Sequence, residues 1–359
     1  MNKKEKDLFL ELSKFLTADK EKLDSLLPDG ATPATLGHLF FNRMAATAFD
    51  VLHNRGLLGK LNREFRNSLQ NAYLQNKERN KSFFYCLKLL SSILEKYKNQ
   101  YAMLKGAMLC SFYPSGCRTS NDIDLLVAPE NVSAIGKTLI KAGFQQGYIR
   151  NGIFTPANRR EIIDSKMNRG ETVPYILEVN LPYMRYLEVD INFSLDYKNS
   201  NTTTIHQMLQ RSTDHHISND VRIRTLGQTD FFIHLCAHLY KEATTLPWIK
   251  MNRDLTLYKF CDIYMELCIL SNSDIDNVFK RAEEMGVADI CACVILWTEQ
   301  LIPADNTHGI EVAKAQIANK TDLLDMVFDP AEKKQYRYTE SNIRKRFFAL
   351  DRKKLLTEV

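Results

Sequence analysis

The stretch Asn121-Asp122-Ile123-Asp124-Leu125-Leu126-Val127 decides the fold that we expect for this chain. Its apolar end is typical of a buried β-strand. Because side chains alternate across a strand, Asp122 and Asp124 project from the same face, about 7 Å apart at their α-carbons. Two ionised carboxylates this close repel each other, and a divalent cation between them removes that penalty. The stretch therefore predicts a strand that carries a cation site.

The aspartate pair offers oxygen ligands, which favour Mg²⁺ or Mn²⁺ over zinc. By itself, a pair of aspartates one residue apart is a weak signal, because a solvated strand edge accounts for it as well. The residues on either side of the pair therefore decide its interpretation.

Upstream of the pair, Met103-Leu104-Lys105-Gly106-Ala107 predicts a strand that turns through glycine into a helix. A helix N-terminus presents N–H groups and the positive end of its dipole to a phosphate. A turn-rich loop at residues 113–120 then brings Arg118 and Ser120 next to the aspartates. Lys105, Arg118 and Ser120 are candidate contacts to such a phosphate. A solvated lysine at a strand end is the alternative for Lys105.

Downstream of the pair, residues 186–193 alternate between apolar and polar side chains, as in a half-buried strand. Asp190 lies on the polar face of this strand, together with Glu188 and Asn192. We take Asp190 as a third candidate carboxylate. A turn that binds an anion, a carboxylate pair and a third carboxylate are the parts that a two-metal phosphoryl-transfer site needs.

We expect three regions along the chain: a helical region at residues 1–98, an α/β core at 99–225 and a helical domain at 226–359. The expected fold class is α+β, with a small mixed β-sheet core between the N-terminal and C-terminal helical regions. Residues 145–172 are rich in Asn, Arg and Gly. We expect this stretch to be irregular, either as a solvated insertion or as a flap for an anionic acceptor.

Composition places the chain among ordinary globular proteins, since 45% of its 359 residues are apolar and 25% are charged. No segment approaches the roughly 20 apolar residues that span a bilayer, and the N-terminus has no apolar signal-peptide core. We therefore expect no membrane partner. The eight cysteines form no C-x-x-C pair, so we expect structural thiols and a cytoplasmic protein.

The net charge of +5 is concentrated at the C-terminal end. Residues 330–359 contain nine Lys or Arg against four Asp or Glu, and the rest of the chain is neutral as a set. This pattern indicates a basic tail. It is either a solvated terminal helix or a helix that makes a weak contact with RNA or an acidic partner.

Together these motifs resemble the uncharacterised nucleotidyltransferase family of the polymerase β-like superfamily, over about residues 100–265. The resemblance is carried by Leu104-Lys105-Gly106-Ala107, Tyr113-Pro114, residues 118–127, Val189-Asp190-Ile191-Asn192-Phe193 and the helix at residues 232–239. It implies that Asp122 and Asp124 bind two metal ions and that Asp190 completes the metal that activates the acceptor. It also implies that Gly106 and Ala107 hold the triphosphate.

The activity implied by this resemblance is transfer of a nucleoside monophosphate from a nucleoside triphosphate to an acceptor, with release of pyrophosphate. Mg²⁺ or Mn²⁺ is the implied cofactor and ATP the expected triphosphate. The acceptor is left open between a small molecule, a protein and RNA. In the C-terminal region, His238 and Lys241 lie three residues apart on one helix face. They are candidate nucleotide contacts, with helix packing as the alternative for His238.

Two other interpretations stay open. A catalytically silent module that binds a nucleotide or a partner is favoured by Ala107, because the superfamily commonly has a serine there whose hydroxyl contacts a phosphate. A glycosyltransferase with a D-x-D motif would need a nucleotide-binding βαβ unit before the aspartates, where this sequence predicts helices. Three carboxylates that repel one another favour the enzyme, since a silent protein has little physical reason to hold them together.

Overall fold

The computed structural model describes residues 1–168, 170–195 and 202–359. Two compact units make up the chain. The first combines Met1–Ala72 with Phe232–Val359, and the second is Tyr73–Phe231. The sequence predicts three regions, with boundaries at residues 98/99 and 225/226. This division into domains stays a prediction.

The α-helices of the described residues are α1 (Lys3–Glu11), α2 (Lys20–Gly30), α3 (Pro33–Phe41), α4 (Ala45–Asn54), α5 (Arg63–Leu94), α6 (Gly106–Phe112), α7 (Val132–Lys141), α8 (Arg159–Asn168), α9 (Thr202–Gln210), α10 (Gln228–Ala243), α11 (Leu246–Lys250), α12 (Leu257–Ile269), α13 (Asn272–Glu284), α14 (Ala288–Leu301), α15 (Thr307–Gln316) and α16 (Ile343–Phe347). The strands are β1 (Tyr101–Met103), β2 (Asp122–Val127), β3 (Gln145–Arg150), β4 (Ile153–Pro156), β5 (Tyr175–Leu181), β6 (Met184–Asn192), β7 (Thr213–Ser218), β8 (Val221–Thr225), β9 (Met326–Asp329), β10 (Lys334–Tyr338) and β11 (Leu356–Glu358).

Local sequence signals explain where several of these elements begin. Asn2 and Glu5 form a capping box at the start of α1, and Ser271 and Asp274 form another at α13. Such boxes satisfy backbone N–H groups that have no partner inside the helix. In β2, Ile123 is buried between two half-buried aspartates, which is the alternation expected of a strand with one polar face.

The second unit is built on a mixed sheet whose described strands follow the order β4-β3-β5-β6-β2-β1-β8-β7. Strand β2 pairs antiparallel with β1 and parallel with β6. The predicted α+β class, with a mixed sheet and helical flanks, is confirmed. The sheet is larger than expected. Strands β3, β4 and β7 bury at most one residue each, so they lack the hydrophobic pattern that reveals a strand in a sequence.

The prediction that residues 145–172 are irregular is wrong. This stretch contains β3, β4 and α8. Strand β4 pairs only with β3 in the described sheet and forms its edge, where none of its residues is buried. Because β4 has no buried face, its sequence shows no alternation of apolar and polar residues from which the strand could be predicted. Arg169, in the same stretch, lies outside the described residues.

The chain before the aspartate pair is helical. Helices α1 to α5 fill most of residues 3–94, and the first strand begins at Tyr101. The described residues before the pair thus hold no nucleotide-binding βαβ unit, which removes the support for a glycosyltransferase. Among the described helices, none combines the length and the apolar composition needed to cross a membrane.

Buried thiols behave as packing groups. Burial raises the pKa of the Cys86 thiol to about 11 and that of the Cys293 thiol to about 12. Both are therefore protonated at neutral pH and are poor nucleophiles. This agrees with the structural role expected for the cysteines.

The basic C-terminal residues fold into the first unit, so the expected solvated tail is only partly solvated. Arg346 and Arg352 are buried, whereas Lys345 and Lys354 are exposed. Strands β9, β10 and β11 form an antiparallel sheet, and Val327 and Tyr338 from it pack against Leu246 and Ile249 of α11. Arg346 is 1% exposed, and its guanidinium lies 4.3 Å from the centroid of the Tyr338 ring. A cation stacked in this way contributes to the core as well as to charge pairing.

Most of the positively charged side chains of residues 330–359 form ion pairs within the fold. Seven of the nine cations pair with carboxylates, and four of those carboxylates lie outside residues 330–359: Asp7, Asp254, Asp322 and Asp325. The local excess of five positive charges is thus nearly neutralised by acids that are distant in sequence. A contact with RNA or an acidic partner through this segment stays a prediction.

The pair between Arg352 and Asp254 is the most buried of these, with side chains 6% and 0% exposed. The Arg352 guanidinium donates through Nη2 to Oδ1 at 2.6 Å and through Nε to Oδ2 at 2.8 Å. Removing one partner of a buried pair leaves an uncompensated charge. We predict that Arg352→Ala lowers the free energy of unfolding by about 3 to 5 kcal/mol, measured by urea denaturation.

The matched control for this prediction is the neighbouring Lys353→Ala, because Lys353 is exposed. We expect it to change stability by less than about 0.5 kcal/mol. If Arg352→Ala is too unstable to purify, Arg352→Lys keeps the charge but loses the two-pronged geometry, and it should fall between the two. Equal stability of Arg352→Ala and Lys353→Ala would contradict the prediction.

Glu266 of α12 makes the stability of the first unit depend on pH. Burial, with a smaller contribution from the charge of the neighbouring Asp262, raises the pKa of its carboxyl from an ordinary 4.5 to about 7. Its Oε2 atom has no hydrogen-bond partner among the described residues. The folded protein therefore holds a proton on Glu266 that the unfolded chain loses above about pH 4.5, and the associated stability disappears as the pH rises through 7.

We predict that Glu266→Gln stabilises the protein relative to wild type by about 2 to 3 kcal/mol more at pH 8 than at pH 4.5. The measurement is urea unfolding of both proteins at the two pH values. Glu283→Gln, at an exposed position on α13, is the control and should show no such pH-dependent difference. The same difference in both variants would show that burial of Glu266 is not its cause.

Candidate functional site

The carboxylates of β2 and β6 face each other across adjacent parallel strands. The register pairs Asp124 with Asp190 and Asp122 with Glu188. Neighbouring strands lie about 5 Å apart, and residues in register project to the same side of a sheet. The structure therefore brings the three predicted carboxylates together, although Asp190 is distant from the other two in sequence.

Glu188 is the candidate residue that sequence reasoning missed. It stands opposite Asp122 and two residues before Asp190, so that it belongs to the same polar face. The signal was present in the alternation of residues 186–193, which already put Glu188 and Asp190 on one side. Its significance depends on the partner strand, since only the register with β2 places it beside Asp122.

Burial and mutual repulsion perturb these groups. Burial raises the pKa of Asp190 well above its ordinary value, and the charges of Asp124, Glu188 and Asp122 raise it further. Burial also raises the pKa of Glu188 to about 7, with added repulsion from Asp122 and Asp124. The cluster is therefore deficient in positive charge. Such perturbed groups are a frequent mark of functional sites.

Lys105 supplies the nearest cation. Its Nζ lies 3.2 Å from Oδ1 of Asp124, and its charge lowers the pKa of Asp190. The residue precedes α6 with φ 44° and ψ −114°, a left-handed conformation that is unfavourable for a side chain other than glycine. The tight turn between β1 and α6 thus aims the ammonium at the carboxylates instead of into solvent.

The turn and the loop before β2 are in close contact. A Cβ atom on Gly106 would lie 2.6 Å from Cβ of Ser120, so the packing requires glycine. The Ser120 hydroxyl donates to Oδ1 of Asp122 at 2.9 Å. Ser120 therefore links the predicted phosphate turn to the first aspartate.

Other predicted contacts are less open to a ligand. Ala107 is fully buried, and its N–H donates to the carbonyl of Leu104 at 3.2 Å. Arg118 is 8% exposed and its guanidinium donates to the carbonyl of Thr119. His238 and Lys241 belong to the first unit, and His238 Nε2 lies 3.3 Å from Glu242 Oε1. The nucleotide contacts predicted for these four residues stay predictions.

The donor set suits a hard divalent cation. It consists of carboxylate oxygens with excess negative charge, and Lys105 already stands where a cation would relieve their repulsion. Among the described residues, however, no group of three or more His, Cys, Asp or Glu is arranged to hold a metal ion. Asp122, Asp124 and Asp190 would hold a metal only after their side chains rotate toward a common point.

Comparison with models of known families identifies a match. A model of the family described as uncharacterised nucleotidyltransferase matches residues 36–303, which include β2, β6 and the turn between β1 and α6. No curated protein matches the chain. The match covers well over half of the sequence, and the chain therefore belongs to the uncharacterised nucleotidyltransferase family.

Proposed function

We propose that the protein is a metal-dependent nucleotidyltransferase of the polymerase β-like superfamily. It transfers a nucleoside monophosphate, from ATP as the expected donor, to an acceptor that is a small molecule, a protein or RNA. The observation that carries this proposal is the register of β2 and β6, which gathers Asp122, Asp124, Glu188 and Asp190 on one face of the sheet. Family membership supports the transferase class.

In the proposed reaction, an acceptor oxygen attacks the α-phosphorus of the triphosphate. A phosphorus–oxygen bond forms to the acceptor, the bond between the α-phosphorus and the bridging oxygen breaks, and pyrophosphate leaves with its electron pair. Bound Mg²⁺ or Mn²⁺ would neutralise the triphosphate and lower the pKa of the acceptor hydroxyl. Asp122, Asp124 and Asp190 are the residues proposed to hold the metal.

The chain's own residues orient the reactants. Ser120 fixes one oxygen of Asp122 through its 2.9 Å hydrogen bond, which leaves the second oxygen for a ligand. Lys105 is proposed to move its ammonium from Asp124 to the β- or γ-phosphate when the triphosphate binds. Catalysis of this kind depends mainly on positioning and charge, since the phosphoryl group needs little covalent help from the protein.

A silent nucleotide-binding module is the second candidate. The contact between Lys105 and Asp124 favours it, because an ammonium at the carboxylates replaces the charge of a metal. So does Ala107, whose side chain has no hydroxyl and whose N–H is bonded within the turn. Binding without turnover distinguishes this candidate from the enzyme.

We predict that Asp122→Asn abolishes Mg²⁺-dependent binding of the nucleotide and reduces pyrophosphate release at least 100-fold, because a metal ligand is lost. Binding is measured as thermal stabilisation by each of the four triphosphates with Mg²⁺. A ligand at 100 times its dissociation constant adds about 2.7 kcal/mol. Asp220→Asn, exposed in the turn between β7 and β8, is the matched control and should behave as wild type.

Failure of all four triphosphates to stabilise the wild-type protein would contradict both candidate functions. Stabilisation without pyrophosphate release, across small alcohols, protein and RNA as acceptors, would favour the silent module.

We further predict that Lys105→Gln weakens triphosphate binding fivefold or more but does not weaken binding of Mn²⁺ alone. The ammonium is proposed to serve the phosphates, and its removal leaves more negative charge at the carboxylates. Calorimetric titrations with Mn²⁺, and with MnATP, separate the two effects. A parallel loss of both affinities would show that Lys105 instead maintains the carboxylate geometry.

A further inference from the structure

One face of α5 holds the loop that leads into β2. Asn76 Nδ2 donates to the carbonyl of Gly116 at 3.1 Å, and Asn80 Nδ2 donates to that of Arg118 at 3.1 Å. Arg79 Nε donates to the carbonyl of Ser120 at 3.3 Å. The three donors are three and four residues apart along the helix, so they share one face. They bind every second carbonyl of the loop, which is therefore fixed along its length.

Close packing reinforces this contact. Gly116 has φ 86°, and a Cβ there would lie 2.8 Å from Cγ of Lys77 and 3.2 Å from the carbonyl oxygen of Tyr73. Asn80 is 3% exposed. The loop backbone thus lies directly on α5, and polar side chains of the helix replace the water that an exposed loop would bind.

Arg79 also reaches a second segment. Its Nη2 donates to Oδ1 of Asn121 at 2.7 Å, and its Nη1 donates to the carbonyl of Tyr183 at 2.7 Å. Asn121 immediately precedes β2, and Tyr183 immediately precedes β6. One planar guanidinium therefore joins the entries of the two strands that carry the carboxylates. A lysine has no such fork of donors.

The segment at Tyr183 needs such an anchor. Tyr183 has φ 55°, and Asn180, in the preceding strand, has φ 49°; both are left-handed conformations of residues with side chains. The pairing of β5 and β6 shifts register between Glu178 and Leu181. Strained backbone of this kind persists only where its surroundings fix it. The charge-assisted hydrogen bond from Arg79 is such a constraint.

We propose that Arg79 is a positioning residue of the metal and nucleotide site. It acts through β2 and β6: by tying Ser120 and Asn121 to Tyr183, it holds Asp122 and Asp124 at a fixed distance from Glu188 and Asp190. The proposal rests on the proposed function, because positioning of carboxylates matters only if they bind a metal. No sequence motif in the loop or the strands indicates Arg79, which lies about 40 residues upstream.

The test measures binding of Mn²⁺ together with the α,β-methylene analogue of ATP, which cannot be cleaved at the reacting bond. The free-ion electron paramagnetic resonance signal of Mn²⁺, corrected by a protein-free titration for Mn²⁺ that the analogue binds alone, gives the dissociation constant without turnover. We expect Arg79→Gln to raise this constant at least fivefold. The matched control is Arg185→Gln, which removes an exposed arginine paired with Glu178 at 2.9 Å in the same β5–β6 hairpin. It should stay within twofold of wild type.

The measured affinities separate a positioning role of Arg79 from a purely structural one. Wild-type affinity in a folded Arg79→Gln protein overturns the inference. If the melting temperature falls while the affinity is unchanged, Arg79 serves stability alone, and the inference is overturned as well. If Arg79→Gln does not fold, Arg79→Lys is measured instead, since one ammonium cannot reach acceptors in both segments, and the same fivefold criterion applies. Absence of Mn²⁺ binding by the wild type overturns the proposed function, and the inference with it.

Discussion

The repulsion among the carboxylates of β2 and β6 is the constraint on which the rest of the site depends. Two charges about 5 Å apart interact with about 3 kcal/mol at an effective dielectric constant of about 20. The opposite faces of the same strands bury Ile123, Leu125, Val189 and Ile191 completely. A shift of register by one residue would move these side chains from the buried face of the sheet to its polar face. The hydrophobic face therefore imposes the carboxylate cluster, which the protein stabilises by protonation, by Lys105 or by a bound cation.

The elements around the cluster are arranged to keep it in place. Gly106 allows the turn after β1 to press against Ser120, and Ser120 binds Asp122. The loop that carries Ser120 lies on α5, whose polar side chains bind its carbonyls. A chain of direct contacts thus connects a helix of the N-terminal half to the first aspartate. Sites held in this way lose little entropy when the ligand binds.

In the basic C-terminal segment, the ion pairs within the fold have to be identified before the positive charge is interpreted as a binding surface for another molecule. Counted along the chain, residues 330–359 have five positive charges in excess. In the fold, Arg346 and Arg352 are core residues that meet Asp325 and Asp254, and Arg344 meets Asp7. A buried arginine with its carboxylate is a structural element and presents no charge to a nucleic acid. A basic run is therefore a surface property only where its side chains are exposed.

The sequence by itself determined the strand of Asp122 and Asp124, the strand of Asp190, the turn at Gly106 and the α+β class, because each has a local signature of period or spacing. Strands β3, β4 and β7 were missed, since each buries at most one residue and therefore has no regular apolar period. Only the tertiary structure decided that Glu188 joins the cluster and that Arg79 ties the two strands together. These facts depend on the pairing of segments about 65 and 100 residues apart, and pairing is set by packing of the whole sheet, which no local pattern records.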